Sequence, residues 1–200
     1  MNALRSKFPE LVSPDPKVGL RMNFFNCTKS SAAFQKLSGG SDQLKNLLIE
    51  YRQRVSHFKH GTTQPVIMIV DNDSGSTGLF KYLGHVLGKS IGGMDPFYYA
   101  FENLYVVPVP KKGTTAAIED LFEPALLKRT LDGKKFDKSG KEKDTNKWYS
   151  KVDFATKIVK PERATISFAG FEPLLRAILD AQKDFAVRGS AAAPMAKAAE

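Results

Sequence analysis

Two hundred residues suit one domain, or one plus an appendage, and 42% hydrophobic residues are enough to bury a core. Thirty Lys and Arg against 21 Asp and Glu leave a net charge of +9, which favours polyanionic partners, nucleic acid first, although a solvated surface satisfies the same balance. A single cysteine, Cys27, excludes an internal disulfide and a cysteine-based zinc site; no stretch approaches membrane-spanning length and no signal peptide is visible, so a cytoplasmic protein with no membrane partner is expected.

Along the chain, Leu4 and Phe8 are spaced as in the tail of a helix, and the three prolines of residues 9–18 predict a loop. Residues 22–27 are a short strand candidate. Leu37-Ser38-Gly39-Gly40 is a glycine turn, after which Ser41 or Asp42 can cap a helix. Leu44, Leu47, Leu48, Tyr51, Val55 and Phe58 keep the helical spacing. His60 and Gly61 end it. His57 and His60 fit surface or capping positions, and with His85 and Cys27 they make no metal set.

The run Val66–Val70 predicts a buried parallel strand ending in Asp71-Asn72-Asp73-Ser74-Gly75. Leu79, Phe80, Leu83, Val86 and Leu87 predict a second helix closed by glycines at 88, 92 and 93. Another strand is expected over 103–109, a loop over 111–117 and a short helix from Ile118. The lysine-rich stretch 134–151 reads as a mobile excursion or hairpin. A short helix over 153–160, a last strand over 164–168 and a closing helix through Leu174, Leu175, Ile178 and Phe185 complete the pattern. Strands alternating with helices imply an α/β domain with a mainly parallel sheet flanked by helices. The expected organisation is an N-terminal remnant and loop over 1–21, an α/β domain over 22–188 with a lysine-rich insertion at 132–151, and a disordered tail over 189–200.

Asp71 and Asp73 carry the clearest chemical signal. In an extended chain alternate side chains share a side, and ligands of open α/β sheets sit beyond the carboxyl ends of the strands. Two carboxylates there can seat a hard cation such as Mg²⁺. An Asx turn with Asp73 capping the next helix accounts for the same residues. Glu119 and Asp120, about ten residues past the next strand, are candidates to complete a metal shell; acids in a first helical turn also offset the helix dipole. Ser38, Gly39 and Gly40 suit a phosphate at a helix N-terminus or a plain tight turn. Lys134, Lys135 and Lys147, beside Trp148 and Tyr149, suit a single strand held by charge and stacking, or a solvated loop in which Asp137, Glu142 and Asp144 balance the charge.

These motifs resemble those of a Toprim domain, found in topoisomerases, primases and nucleases of the overcoming-lysogenization-defect type. The ordered segments 37–51, 65–75, 103–110, 118–123 and 166–175 are similar to the C-terminal extension of bacterial retron-type reverse transcriptases, RNA-directed DNA polymerases in which a Toprim-like domain follows the polymerase. The match covers most of residues 20–180. The resemblance implies nuclease-type phosphodiester chemistry with Mg²⁺ or Mn²⁺. Asp71 and Asp73 would hold the metal, and Glu119, with Asp120, would extend its shell. It also implies DNA or RNA and the polymerase domain of a parent protein as partners, and a role in antiviral defence. The family's first-strand glutamate is absent, since Glu10 follows a proline and Glu50 sits in a helix, and the polymerase with its Tyr-x-Asp-Asp motif is absent too. A C-terminal fragment lacking its first Toprim strand, or a start at an internal methionine, is therefore expected, with little activity alone and an exposed strand edge that favours a homodimer. A non-catalytic module binding nucleic acid or protein is the alternative, and a doubly wound domain with a small phosphorylated ligand a third.

Overall fold

Val-Ile-Met-Ile-Val is a run of strand formers, and in the computed structural model it forms strand β1 (Val66–Val70). The structure describes residues 4–15, 19–24, 41–57, 63–111 and 113–196. These belong to two compact units, one built from Met1–Pro9 with Ile118–Glu172, the other from Glu10–Ala117 with Pro173–Glu200.

In the larger unit β1 lies parallel to β3 (Leu104–Pro108), with Val66 opposite Leu104 and Val70 opposite Pro108. β2 (Tyr98–Phe101) lies on the other side of β3 and runs antiparallel to it, so the order is β1-β3-β2. β3 is buried along its whole length, as expected of a central strand with both faces covered. Pro108 occupies the last register position, where its missing N–H costs little.

β2 was not predicted from the sequence, and it makes the sheet mixed rather than mainly parallel. It arises from a tight hairpin in which Glu102 takes a positive φ of 50°. Asn103, next in the turn, is buried; its Oδ1 accepts from the Tyr51 hydroxyl at 2.8 Å and its Nδ2 donates to the Gln64 carbonyl at 2.7 Å. The turn is thereby tied to a helix and to the lead-in of β1.

Helices α1 (Ser41–His57) and α2 (Thr77–Leu87) are the two amphipathic helices expected. Leu48 of α1 and Leu79, Phe80 and Leu83 of α2 share one core with Met68, Val70, Leu104 and Val106. α2 ends at Gly88 in the left-handed region, φ 64°, with its N–H returned to the last turn. Tyr105 has the opposite strand parity to Val106, so it faces the other side of the sheet. There it meets Asp184 of the C-terminal helix, whose span, Glu172–Ala196, opens at the boundary between the units. The helix runs past Gly189 as far as Ala196, and residues 197–200 of the tail expected over 189–200 lie outside the described residues.

The smaller unit corrects two expectations. The stretch 134–151 is anchored on a small core through Phe136 and Tyr149. Leu131 and Lys134 exchange backbone hydrogen bonds of 3.0 and 2.9 Å across Asp132-Gly133, both at positive φ, a turn that Asp-Gly favours. β4 (Lys135–Phe136) then pairs with β5 (Trp148–Tyr149), in parallel rather than as a hairpin. Phe136 stacks between Tyr149 and Phe154, ring centres 5.5 and 4.5 Å away, and Phe122 meets Phe154 edge-on at 5.4 Å.

The strand expected over 164–168 is absent. The amides of Thr165 and Ile166 both turn back to the Glu162 carbonyl, which makes a turn and leaves no ladder. The helix expected over 153–160 is present in another form. A short α3 (Pro124–Leu127) precedes it, and α4 (Lys151–Asp153), capped by Ser150, runs on into a π-helical stretch, Phe154–Val159. Residues 22–24 carry no regular structure, and the rest of that strand candidate lies outside the described residues.

Candidate functional site

β1 delivers three consecutive polar residues to its carboxyl end. Asn72 has the opposite parity to its two aspartates and turns inward; it is 2% exposed. Its Nδ2 donates to the Gly93 carbonyl at 2.6 Å and to the Val109 carbonyl at 3.3 Å. Its backbone exchanges hydrogen bonds of 2.6 and 2.9 Å with Ala116. One residue thus binds the end of β1 to the loops that follow α2 and β3. Asp71 and Asp73 are half-buried on either side of it. Asp73 Oδ1 accepts from the Gly75 N–H at 2.9 Å, capping the 3₁₀ turn Ser74–Ser76 that leads into α2. The capping reading of Asp73 is therefore realised. Only one of its carboxylate oxygens is engaged in that bond.

A cleft of about 700 Å³ opens at this edge, wholly within the larger unit. Asp73, Ser74, Lys81, Lys89 and Lys111 are among the residues that line it. Lys111 donates to the Gly92 carbonyl at 3.2 Å, and Lys89 lies 3.9 Å from Asp95 and 5.7 Å from the centre of the Tyr98 ring. Ser76, at the head of α2, is buried, and its hydroxyl finds no hydrogen-bond partner among the described residues.

Glu119 and Asp120 fall in the 3₁₀ turn Ile118–Leu121 of the smaller unit. Glu119 Oε2 accepts from Lys151 Nζ at 3.0 Å, its side chain only 10% exposed, and Asp120 pairs with Lys138. The acids proposed as metal ligands are thus matched with lysines from the basic stretch. Of the basic residues singled out, Lys135 is exposed opposite Trp148 in the β4–β5 ladder, Lys134 is half-buried in the Asp-Gly turn, and Lys147 pairs with Asp144 at 3.4 Å. Ser38, Gly39 and Gly40 lie outside the described residues.

Asp137 organises the loop between β4 and β5. Burial alone would raise its pKa, but donation from Ser139 Oγ and from the amides of Gly140 and Glu142 outweighs this, and the carboxyl is held below its ordinary value. On the far face of the sheet in the larger unit, burial raises the Tyr105 hydroxyl, and donation to Asp184 Oδ2 at 2.8 Å adds to the rise. Donation from Arg188 holds Asp184 low, and that guanidinium stacks 4.0 Å from the centre of the Tyr99 ring. This cluster docks the C-terminal helix on the sheet.

Among the described residues, no three His, Cys, Asp or Glu side chains gather to hold a metal. Asp71 and Asp73 suit a cation that takes one or two carboxylates and completes its shell with water and substrate phosphate, the usual mode of Mg²⁺. Sequence reasoning missed Asn72 and the three cleft lysines. A signal existed for Asn72, which alternates between two acids, and for Lys81, which shares a helical face with His85 at a spacing of four, but not for Lys89 and Lys111, which lie in loops. No model of a known protein family matches the chain, and no solved structure matches it.

Proposed function

We propose that this chain is a Toprim-like domain of the retron reverse-transcriptase type, whose chemistry is metal-dependent phosphodiester cleavage on nucleic acid. The observation that carries the reading is the acid pair at the carboxyl end of β1, within a β1–β3 parallel pair, with Asp73 on the wall of a cleft rich in lysine. Asp71 and Asp73 would hold Mg²⁺ or Mn²⁺, which when bound neutralises charge on the phosphate. The cap bond from Gly75 fixes the orientation of Asp73, and Asn72 holds the acid-bearing segment against two loops. The lysines of the cleft hold the substrate's phosphates by charge.

The test is Mn²⁺ titration followed by electron paramagnetic resonance, with cleavage of labelled single- and double-stranded oligonucleotides measured alongside. Loss of Mn²⁺ binding in Asp71→Asn with Asp73→Asn, folding unchanged, supports the reading. Equal Mn²⁺ binding by the variant and the unaltered chain overturns it. Little cleavage by the chain alone is expected, because no residue matches the family's first-strand glutamate. A second reading, a non-catalytic nucleic-acid module, is favoured by the pairing of Glu119 and Asp120 with Lys151 and Lys138, which leaves those acids matched by cations of the chain's own.

A further inference from the structure

We propose that the cleft at the end of β1 takes one nucleotide unit by its phosphate, held by Lys81, Lys89 and Lys111, so that the chain engages single strands or strand ends in preference to an intact duplex. This rests on the nucleic-acid reading of the same cleft.

Charge comes first. Three lysines line the cleft against one carboxylate, Asp73. Lys111 spends a hydrogen bond on a carbonyl, a neutral partner that leaves its charge uncompensated. Lys89 lies 3.9 Å from Asp95, both side chains more than half exposed, and such a pair exchanges readily for another anion. Among the described residues Lys81 makes no ion pair, and it is exposed. Hydroxyls of Thr114 and Thr115 line the same space and can donate to phosphate oxygens.

A volume of about 700 Å³ lies in the range that accommodates a single small molecule. That is room for one unstacked nucleotide, not for a stretch of base pairs with both backbones. Phe80 and Ile91 contribute apolar lining beside the lysines, a surface against which a base can rest. A lining that contains both lysines and apolar side chains suits the two chemical parts of a nucleotide, phosphate and base.

The experiment measures fluorescence anisotropy of a 3′-labelled single strand of about 12 nucleotides, a length within the usual site sizes, and of the blunt duplex of equal length. Both are measured in EDTA, with a nucleoside 5′-monophosphate as competitor, and repeated with Mg²⁺. The unaltered chain should bind the single strand several-fold more tightly than the duplex, and the monophosphate should compete. Three phosphate contacts give a salt slope of about −2 in log K, so affinity should fall about 20-fold between 50 and 200 mM salt. Lys81→Gln and Lys111→Gln should each weaken binding several-fold and reduce the slope by about 0.7, with unchanged thermal unfolding.

Equal affinity for duplex and single strand overturns the inference and leaves the nucleic-acid reading standing. Undiminished binding by both Lys81→Gln and Lys111→Gln, or no competition by the monophosphate, overturns the assignment to this cleft. Absence of binding to either oligonucleotide, with or without Mg²⁺, overturns both this inference and the reading on which it rests.

Discussion

The Asn72 side-chain amide donates to the Gly93 carbonyl at 2.6 Å, joining the end of β1 to the loop after α2. Gly93 lies at φ 70°, and a Cβ built there would run into the Asn72 amide. The two residues are therefore fitted to each other. Glycine is needed at 93 both for its backbone conformation and for the room it leaves.

Asn72→Ala leaves the carbonyls of Gly93 and Val109 without this donor in a buried place. A loss of about 2 kcal/mol is expected. Gly93→Ala should cost at least as much, because it adds strain at positive φ to a collision. Urea unfolding monitored by circular dichroism measures both. A change below about 0.5 kcal/mol in either variant, the range of ordinary surface substitutions, would show that the clasp does not bear on stability.

Ser76 predicts the opposite sign. Replacing an N-cap serine usually costs about 1 kcal/mol. Here the hydroxyl is buried and makes no capping bond, so it carries a desolvation cost with nothing to offset it. Ser76→Ala should stabilise the chain by up to about 1 kcal/mol. A drop in the unfolding midpoint instead would mean that the hydroxyl has a partner in solution.

Lys151 and Glu119 form a pair in which the acid is buried and the base is 40% exposed. Lys151→Met strands the carboxylate and should cost about 1–2 kcal/mol, less than for a fully buried pair because water reaches the lysine side. Adding Glu119→Gln should restore part of the loss. A single variant as stable as the unaltered chain would reduce the pair to a surface contact. If millimolar Mn²⁺ restores the single variant, Glu119 accepts a divalent cation once its lysine is gone.

Asp184 gives the chain a pH dependence of definite sign. Donation from Arg188 is the main cause of its low pKa, opposed by burial and aided by the Tyr105 hydroxyl. The folded pKa lies below the unfolded value of about 3.9, so the unfolded state binds more protons in that window. The stabilisation is complete above about pH 5 and is lost as pH falls through the folded pKa. Asp184→Asn should be less stable by about 1 kcal/mol at pH 7. Its stability should also fall less steeply between about pH 5 and 3. Parallel curves for the two proteins across that range would contradict the assignment.

What depends on neighbours in the chain was legible without coordinates. The apolar run 66–70, the 3.6-residue spacing of Leu44 to Val55 and of Leu79 to Leu87, and the Asp-rich corner after Val70 all report local geometry, and all appear where expected. The third strand escaped although Phe97–Phe101 is an aromatic-rich run of the kind strands favour; its pairing with β3 through a tight turn was not read from the sequence. The false strand at 164–168 was a run of apolar and β-branched residues whose amides had a nearer partner in Glu162.

The sequence by itself determined β1, β3 and the two amphipathic helices, and that two acids stand at a strand end, because periodicity and chain alternation act within a few residues. The tertiary structure alone decided that Asn72 meets Gly93, that Lys138 and Lys151 reach Asp120 and Glu119, and that lysines from α2 and from two loops line one cleft. Those pairings join residues 18 to 32 positions apart, and no local spacing encodes them. They follow from which buried faces the packing of each unit brings together, and the polar groups at the margins take the partners that packing supplies.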